Sequence, residues 1–205
     1  MLRVLGRASS INVRKVLWTC AELALEHAHE PWGEGSLELR SEAFLALNPN
    51  GLVPVVVDGD VVLSESNTIC RYLASVAQRT DLLPAAPAAR ARVEQWMDWQ
   101  ATELNSAWRY AFMGLVRKSA DHADPAGIGK SARAWNEMMG LLDRQLDKTG
   151  AYVTGEQLTV ADIVLGLSTH RWLMTPIERP ALPAVAAYYD RLCARPAFEL
   201  QRRFA

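Results

Sequence analysis

The stretch from Asn48 to Ser66 contains two features that together could bind a small peptide. Val53 precedes Pro54, and an X-Pro bond adopts the cis form far more readily than any other peptide bond. A cis bond here would turn the backbone N–H and C=O of Val53 toward a ligand. Ser66 lies at the predicted start of a helix, where free N–H groups bind anions. An extended peptide with a free carboxylate fits both features, and an ordinary hairpin with a trans proline is the alternative.

This stretch resembles the glutathione-binding core of the glutathione S-transferase family, in its cytosolic, bacterial, serine-type form (theta- or beta-like). The similar segments are LNPNGLVPVVVDGD and LSESNTICRYLA, and the likeness extends over nearly the whole chain. The resemblance implies that the residue before a cis-proline pairs with the cysteinyl backbone of glutathione, and that a Glu-Ser pair holds its γ-glutamyl end. The glutathione-binding residues that it implies are Leu52, Val53, Pro54, Glu65 and Ser66.

Three polar residues near the first predicted helix are candidates for activating the glutathione sulfur. The thiolate is the nucleophile, and an unperturbed thiol has a pKa of about 8.5. A hydroxyl donor and the positive end of a helix dipole both favour the thiolate. Ser9 and Ser10 lie in the loop before the helix, and Asn12 lies at its start. One of the two serines is expected to cap the helix instead.

The family resemblance ranks these three residues. Its serine-type members place the sulfur-contacting residue four positions before a basic residue, and counting back from Arg14 gives Ser10. The resemblance therefore predicts that Ser10 contacts the sulfur, with Ser9 second and Asn12 as a helper. The loop contains neither tyrosine nor cysteine, which excludes the tyrosine-type classes and argues against mixed-disulfide chemistry.

One long helix, predicted over residues 88–114, presents a polar and aromatic face that could receive an electrophilic second substrate. Residues on this face, from Asp98 and Thr102 onward, recur at intervals of three and four. The predicted pocket residues are Asn105, Trp108, Arg109 and Phe112. Packing of the aromatic side chains in a helical core is the alternative. Arg109 and Arg117 could hold an anionic substrate, although solvated arginines are the commoner case.

The apolar pattern predicts an α/β unit followed by helices. Strands and helices alternate in the order β-α-β-α-β-β-α, which is typical of a thioredoxin-like domain, and a Pro- and Ala-rich segment follows at residues 81–87. The predicted domains are a thioredoxin-like, glutathione-binding domain at residues 1–80 and an all-helical bundle at residues 86–205. Thr159 and Asp162 form a predicted capping box, which we interpret as structural.

Composition excludes several other classes. The 22 Lys and Arg residues nearly balance the 23 Asp and Glu residues, so no basic field is available for nucleic acid. No apolar run approaches the roughly 20 residues of a membrane span, and no secretory signal is recognisable. Three cysteines far apart favour a reduced, cytoplasmic protein. The histidines lack metal-ligand spacing, so no metal is expected.

The resemblance implies a cytoplasmic, homodimeric glutathione transferase. It would join the thiolate of glutathione, its cosubstrate, to small electrophiles in detoxification, and it could also act on peroxides. One alternative is a glutathione-dependent cis–trans isomerase of the maleylacetoacetate type, whose Ser-Ser-Cys loop is only partly matched because Ile11 stands in place of the cysteine. A non-catalytic binding module on the same fold is the other.

Overall fold

A computed structural model describes residues 1–203, and a mixed four-stranded sheet occupies the first part of this range. The strands, in chain order, are β1 (Leu2–Leu5), β2 (His27–Glu30), β3 (Val55–Asp58) and β4 (Val61–Ser64). Their spatial order is β2-β1-β3-β4, with β1 parallel to β2 and the other two pairs antiparallel. β4 is therefore an edge strand of this sheet.

Helices cover both faces of the sheet. Successive residues of a strand point to opposite faces, so neighbouring residues pack against different helices. The first three helices are α1 (Ile11–Glu22), α2 (Glu42–Leu47) and α3 (Ser66–Val76). Val4 and Val56 belong to the main core, to which α1 and α3 also contribute. Their neighbours Leu5 and Val55 pack with Phe44 of α2 in a second, smaller core. The predicted thioredoxin-like unit is confirmed.

Helices make up the regular structure after residue 86 in the described part of the chain. They are α4 (Pro87–Trp99), a π-helical segment (Gln100–Leu104), α5 (Asn105–Leu115), a 3-10 turn (Ala120–His122), α6 (Pro125–Thr149), α7 (Val160–Met174), α8 (Pro183–Cys193) and α9 (Pro196–Glu199). Every residue of α7 from Val160 to Trp172 is buried, so α7 is the central helix. No helix within residues 1–203 has both the length and the apolar character needed to cross a bilayer.

Thr159 and Asp162 form the predicted capping box at the start of α7, and this prediction is confirmed. Asp162 Oδ2 accepts hydrogen bonds from the backbone N–H of Thr159 at 2.8 Å and from Thr159 Oγ1 at 2.9 Å. Asp162 Oδ1 accepts from the backbone N–H of Val153 at 2.9 Å. The buried carboxylate therefore satisfies donors that the helix start and the preceding loop would otherwise leave unpaired.

The prediction of one continuous helix over residues 88–114 is wrong in its middle, where the five π-helical residues separate α4 from α5. Gln100, which is buried, holds this segment through three side-chain hydrogen bonds. Its Nε2 donates to Asn105 Oδ1 at 2.9 Å and to Ser168 Oγ at 3.0 Å, and its Oε1 accepts from Lys15 Nζ at 2.8 Å. A π-helical turn changes which face the following residues occupy, and such turns are frequent at functional sites.

Candidate active site

Val53 lies beside the end of β1, and the bond between Val53 and Pro54 is cis. Gly6, the residue after β1, has a φ of 142°, and a Cβ at this position would lie 2.5 Å from Val13 Cγ2 and 2.8 Å from Val53 Cβ. Only glycine permits so close an approach. Within residues 1–203 the backbone N–H and C=O of Val53 have no hydrogen-bond partner. These two groups are available to an extended ligand, next to the exposed Leu52.

α3 begins at Ser66, as predicted. The N-cap residue before it is Glu65, which has a φ of 68° and makes no side-chain capping bond. Ser66 is the first helical residue and is only 7% exposed. In the described chain its hydroxyl has no hydrogen-bond partner, and the N–H groups of the first turn can receive an anion. A left-handed glutamate is uncommon, and such conformations cluster at ligand sites.

A buried lysine lies beneath this helix start. Lys15 Nζ donates to Asn67 Oδ1 at 3.2 Å as well as to Gln100, and Asn67 is the second residue of α3. Burial lowers the pKa of Lys15 to about 8, while the carboxylate of Glu65 acts in the opposite direction. The ammonium form therefore persists at neutral pH and adds to the positive potential at the N-terminus of α3.

Ser10 and Asn12 lie together at the start of α1, on the wall of a cavity. Ser10 is the N-cap residue of α1, but its hydroxyl makes no capping hydrogen bond. Both side chains line a cavity of about 420 Å³, whereas Ser9 is not among the residues that line it. The loop from Gly6 to Ser10 connects the two parts of the site, because Gly6 contacts Val53 and Ser10 faces the cavity.

The cavity brings together all four residues predicted to form the electrophile pocket. Its described lining consists of Arg7, Ser10, Ile11, Asn12, Ala101, Asn105, Ser106, Trp108, Arg109, Phe112, Met113, Arg117 and Arg171. Asp98 and Thr102, which the helical pattern placed on the same face, do not line it. Thr102 donates to the backbone carbonyl of Asp98, and the Asp98 carboxylate pairs with Arg71 at 3.3 Å. The π-helical segment, which contains Thr102 and separates Asp98 from Asn105, accounts for this difference.

Sequence reasoning missed Arg171, which reaches the cavity from α7. Its guanidinium carbon lies 4.4 Å from the ring centroid of Trp108 and 4.1 Å from that of Phe112. Burial lowers the pKa of Arg171 to about 9, and the like charges of Arg14 and Arg117 act in the same direction. The available signal was an arginine within a helix whose other residues are mostly apolar.

Asn105 fixes the orientation of Trp108 at the cavity wall. Asn105 Oδ1 accepts from Trp108 Nε1 at 2.9 Å and from Gln100 Nε2 at the same distance. A hydrogen-bonded chain therefore runs from Lys15, beneath the start of α3, through Gln100 and Asn105 to Trp108 in the cavity. In the part of the chain that the structure describes, no three His, Cys, Asp or Glu side chains are grouped so as to hold a metal ion.

The fold and the site define a class of two-part proteins. In this class a thioredoxin-like unit is joined to a helical unit, and a polar and aromatic cavity lies at the start of α1. Two family models match the chain: the N-terminal domain of glutathione S-transferase at residues 9–76 and its C-terminal domain at residues 125–191. The glutathione S-transferase GstB of Escherichia coli K12 is 36% identical over 199 residues, covering 96% of this chain and 95% of that protein. Glutathione S-transferase 3 of Zea mays is 34% identical, covering 97% and 91% respectively.

Solved structures agree with these sequence matches. A theta class glutathione S-transferase from Xanthomonas axonopodis pv. citri, solved with glutathione bound, is 37% identical and has a TM-score of 0.91. The match covers 100% of this chain and 98% of that chain. The chain belongs to the glutathione S-transferase family.

Proposed function

We propose that this chain is a glutathione transferase in which Ser10 stabilises the glutathione thiolate at the start of α1. The observation that carries the proposal is the position of the Ser10 hydroxyl, which lines the cavity and makes no capping bond. A serine hydroxyl stays protonated at neutral pH, so it can donate to an anion, and the α1 dipole adds positive potential at the same point. Asn12 is a second donor on the same wall, and Ser9 is the less favoured candidate because it does not line the cavity.

Glutathione would lie across the sheet edge and the helix start, with its sulfur directed toward Ser10. Its cysteinyl backbone would pair with the free N–H and C=O of Val53, between Leu52 and Pro54. Its γ-glutamyl carboxylate would accept hydrogen bonds from Ser66 and the first-turn N–H groups of α3, and Glu65 would hold the amino group. Three observations support this arrangement: the backbone groups of Val53 and the hydroxyl of Ser66 have no partner in the described part of the chain, and Glu65 has a positive φ of 68°.

The reaction needs little chemistry from the protein beyond a thiolate and a positioned electrophile. The thiolate sulfur attacks an electrophilic carbon, a C–S bond forms, and the leaving group departs with the electron pair of its broken bond. The proton of the thiol passes to solvent. The cavity bounded by Asn105, Trp108, Arg109 and Phe112 would hold the two substrates together, and this proximity lowers the activation barrier. The Ser10 hydroxyl and the α1 dipole would lower the barrier further by stabilising the negative charge on sulfur.

We further propose that the chain acts as a cytoplasmic homodimer whose two domains, residues 1–80 and 86–205, form the cleft. Leu52, the edge-strand residues Val61 and Val62, and Val76 of α3 leave large apolar side chains exposed on the thioredoxin-like unit. A two-fold contact with the helical domain of a second copy would bury them. The thiols of Cys20, Cys70 and Cys193 are free, as suits a reducing compartment.

The test is retention on immobilised glutathione, followed by glutathione-dependent assays with an aryl halide, an epoxide, an enone, a hydroperoxide and a disulfide. We expect specific elution by glutathione and conjugation of at least one carbon electrophile. Absence of both retention and turnover would overturn the proposal, and retention without turnover of any member of the panel would replace the enzyme with a binding module. Assays of cis–trans isomerisation with glutathione test the isomerase alternative.

A further inference from the structure

The cavity next to Ser10 is strongly cationic. Among the described residues that line it are four arginines (Arg7, Arg109, Arg117 and Arg171), and none is aspartate or glutamate. Arg109 and Arg117 are exposed at the rim, where water can solvate them. Arg7 also lines a second cavity beside Arg40, so its position does not distinguish between ligands. Of the four arginines, Arg171 says most about the ligand that the cavity binds.

Arg171 is a buried cation with no anionic partner among residues 1–203. The residue is 6% exposed, and it lies over the rings of Trp108 and Phe112 at 4.4 and 4.1 Å. Within residues 1–203 its guanidinium makes no ion pair and no hydrogen bond. Arg14 and Arg117 lie close enough to act on it with like charge. A charge taken out of water is ordinarily paired, and one left unpaired at the wall of a cavity indicates that the partner arrives with a ligand.

The rest of the lining suits an aromatic ring. Ile11, Trp108, Phe112 and Met113 supply apolar and aromatic surface, and a volume of about 420 Å³ accommodates one substituted ring. A guanidinium presents a planar fork that matches the two oxygens of a carboxylate. The γ-glutamyl carboxylate of glutathione has its own proposed contacts at the start of α3. The glycyl carboxylate has no assigned contact, so the anionic and neutral probes below are compared with glutathione present, where Arg171 receives the anion of the second substrate only if the glycyl carboxylate does not occupy it.

We propose that the electrophile of this enzyme is an aromatic carboxylate, whose carboxylate pairs with Arg171 while its ring lies against the apolar lining within reach of the thiolate at Ser10. This inference rests on the proposed glutathione transferase function and specifies its substrate class. Arg109 and Arg117 are rim positions that would strengthen capture of the anion. For an aryl chloride of this class, the sulfur forms a C–S bond at the carbon that carries chlorine, the C–Cl bond breaks, and chloride leaves with the electron pair while the thiol proton passes to solvent.

The test compares 4-chloro-3-nitrobenzoate with the neutral 4-chloro-3-nitrobenzamide. Each kcat/KM is divided by the uncatalysed rate constant with glutathione, which removes the difference in intrinsic reactivity. We expect the wild type to prefer the benzoate by at least about tenfold after this normalisation. In Arg171→Gln this preference should disappear, so that the two normalised values become equal. Arg92→Gln is the matched control, since Arg92 is exposed on α4 away from the cavity, and it should keep the preference. Arg117→Gln serves as a second variant, with a smaller expected loss, if Arg171→Gln does not fold.

Calorimetry separates this inference from the function on which it rests. The probes are 3-nitrobenzoate and 3-nitrobenzamide, which lack a leaving group, titrated into the protein with glutathione present. Tighter binding of the benzoate, lost in Arg171→Gln, supports the anion site even if neither chloro compound is conjugated, and that outcome would reject only the transferase proposal. Conjugation of both chloro compounds without a preference for the benzoate, or equal binding of the two probes, would overturn the anion site alone.

Discussion

Lys15 Nζ donates a 2.8 Å hydrogen bond to Gln100 Oε1, which joins α1 of the thioredoxin-like unit to the π-helical segment of the helical unit. The ammonium also lies beneath the start of α3, where glutathione is proposed to bind. Gln100 continues through Asn105 to Trp108 at the cavity wall. One series of hydrogen bonds therefore positions both halves of the site. Each bond in the series orients the side chain that makes the next one.

The replacement Gln100→Ala should lower the free energy of unfolding by about 2–4 kcal/mol, because it removes three side-chain hydrogen bonds, those to Lys15 and Ser168 being buried. It also leaves Lys15 with Asn67 as its remaining acceptor among the described residues. Urea denaturation measures this change. Gln95→Ala, at an exposed position on α4, is the control and should stay within about 0.5 kcal/mol of the wild type. A Gln100 variant as stable as this control would show that the hydrogen bonds from Lys15 through Gln100 to Trp108 do not hold the site together.

The replacement Ser66→Ala should weaken glutathione binding by about 1–3 kcal/mol, the range for losing a hydrogen bond to a charged group. Titration calorimetry with glutathione measures the affinity. Ser75→Ala, at an exposed position near the other end of α3, should bind as the wild type does. Unchanged affinity in Ser66→Ala would contradict the binding of the γ-glutamyl carboxylate at this helix start.

The buried carboxyl group of Asp162 makes the stability of the fold depend on pH. Burial raises the pKa of Asp162 from 3.8 to about 6, against hydrogen bonds from Val153 and Thr159 that favour the carboxylate. The folded state therefore binds more protons than the unfolded state between these values. The contribution of Asp162 to the free energy of unfolding is full below the unfolded value and is lost as the pH rises through about 6.

Urea denaturation of the wild type and Asp162→Asn between about pH 4 and pH 7 tests this prediction. The stability of the wild type relative to the variant should fall with rising pH across the range. Asp147→Asn, at an exposed position on α6, should show no such slope relative to the wild type. A relative stability that rises with pH would mean that the hydrogen bonds outweigh burial.

The exposed apolar side chains of the thioredoxin-like unit predict self-association. Leu52 is 61% exposed and Val76 is 57% exposed, and both lie on the unit that carries the edge strand β4. Equilibrium sedimentation at micromolar concentration should give about twice the 22.7 kDa chain mass. A species that sediments at the mass of one chain would refute the homodimer.

Local patterns predicted those parts of the fold whose causes are local. The element order of the thioredoxin-like unit and the capping box of α7 follow from periodicity and capping chemistry within a few residues. The π-helical segment has no such signal, because the hydrogen bond that holds Gln100 comes from Lys15, far away in the chain. Glutamate at the N-cap of α3 likewise contradicts the local preference for Ser, Thr, Asp or Asn.

The same distinction applies to the site. Asn105, Trp108, Arg109 and Phe112 lie on one helix, so their common face was predictable from spacing alone. Arg171 belongs to a different helix, and its place in the cavity depends on how α7 packs against α4 and the π-helical segment. A sequence shows that an arginine interrupts an apolar helix, but the neighbour that it meets is a property of tertiary packing.

The central claim, that Ser10 stabilises the glutathione thiolate, is tested most directly by the ultraviolet thiolate absorbance of bound glutathione as a function of pH. In Ser10→Ala the pKa of the bound thiol should rise by about one unit, equivalent to about 1.36 kcal/mol, while glutathione still binds through Val53 and Ser66. Ser9→Ala is the matched control and should titrate as the wild type does. A shift in Ser9→Ala without one in Ser10→Ala would contradict the choice of serine, and no shift in either would transfer the activation to Asn12 or the α1 terminus.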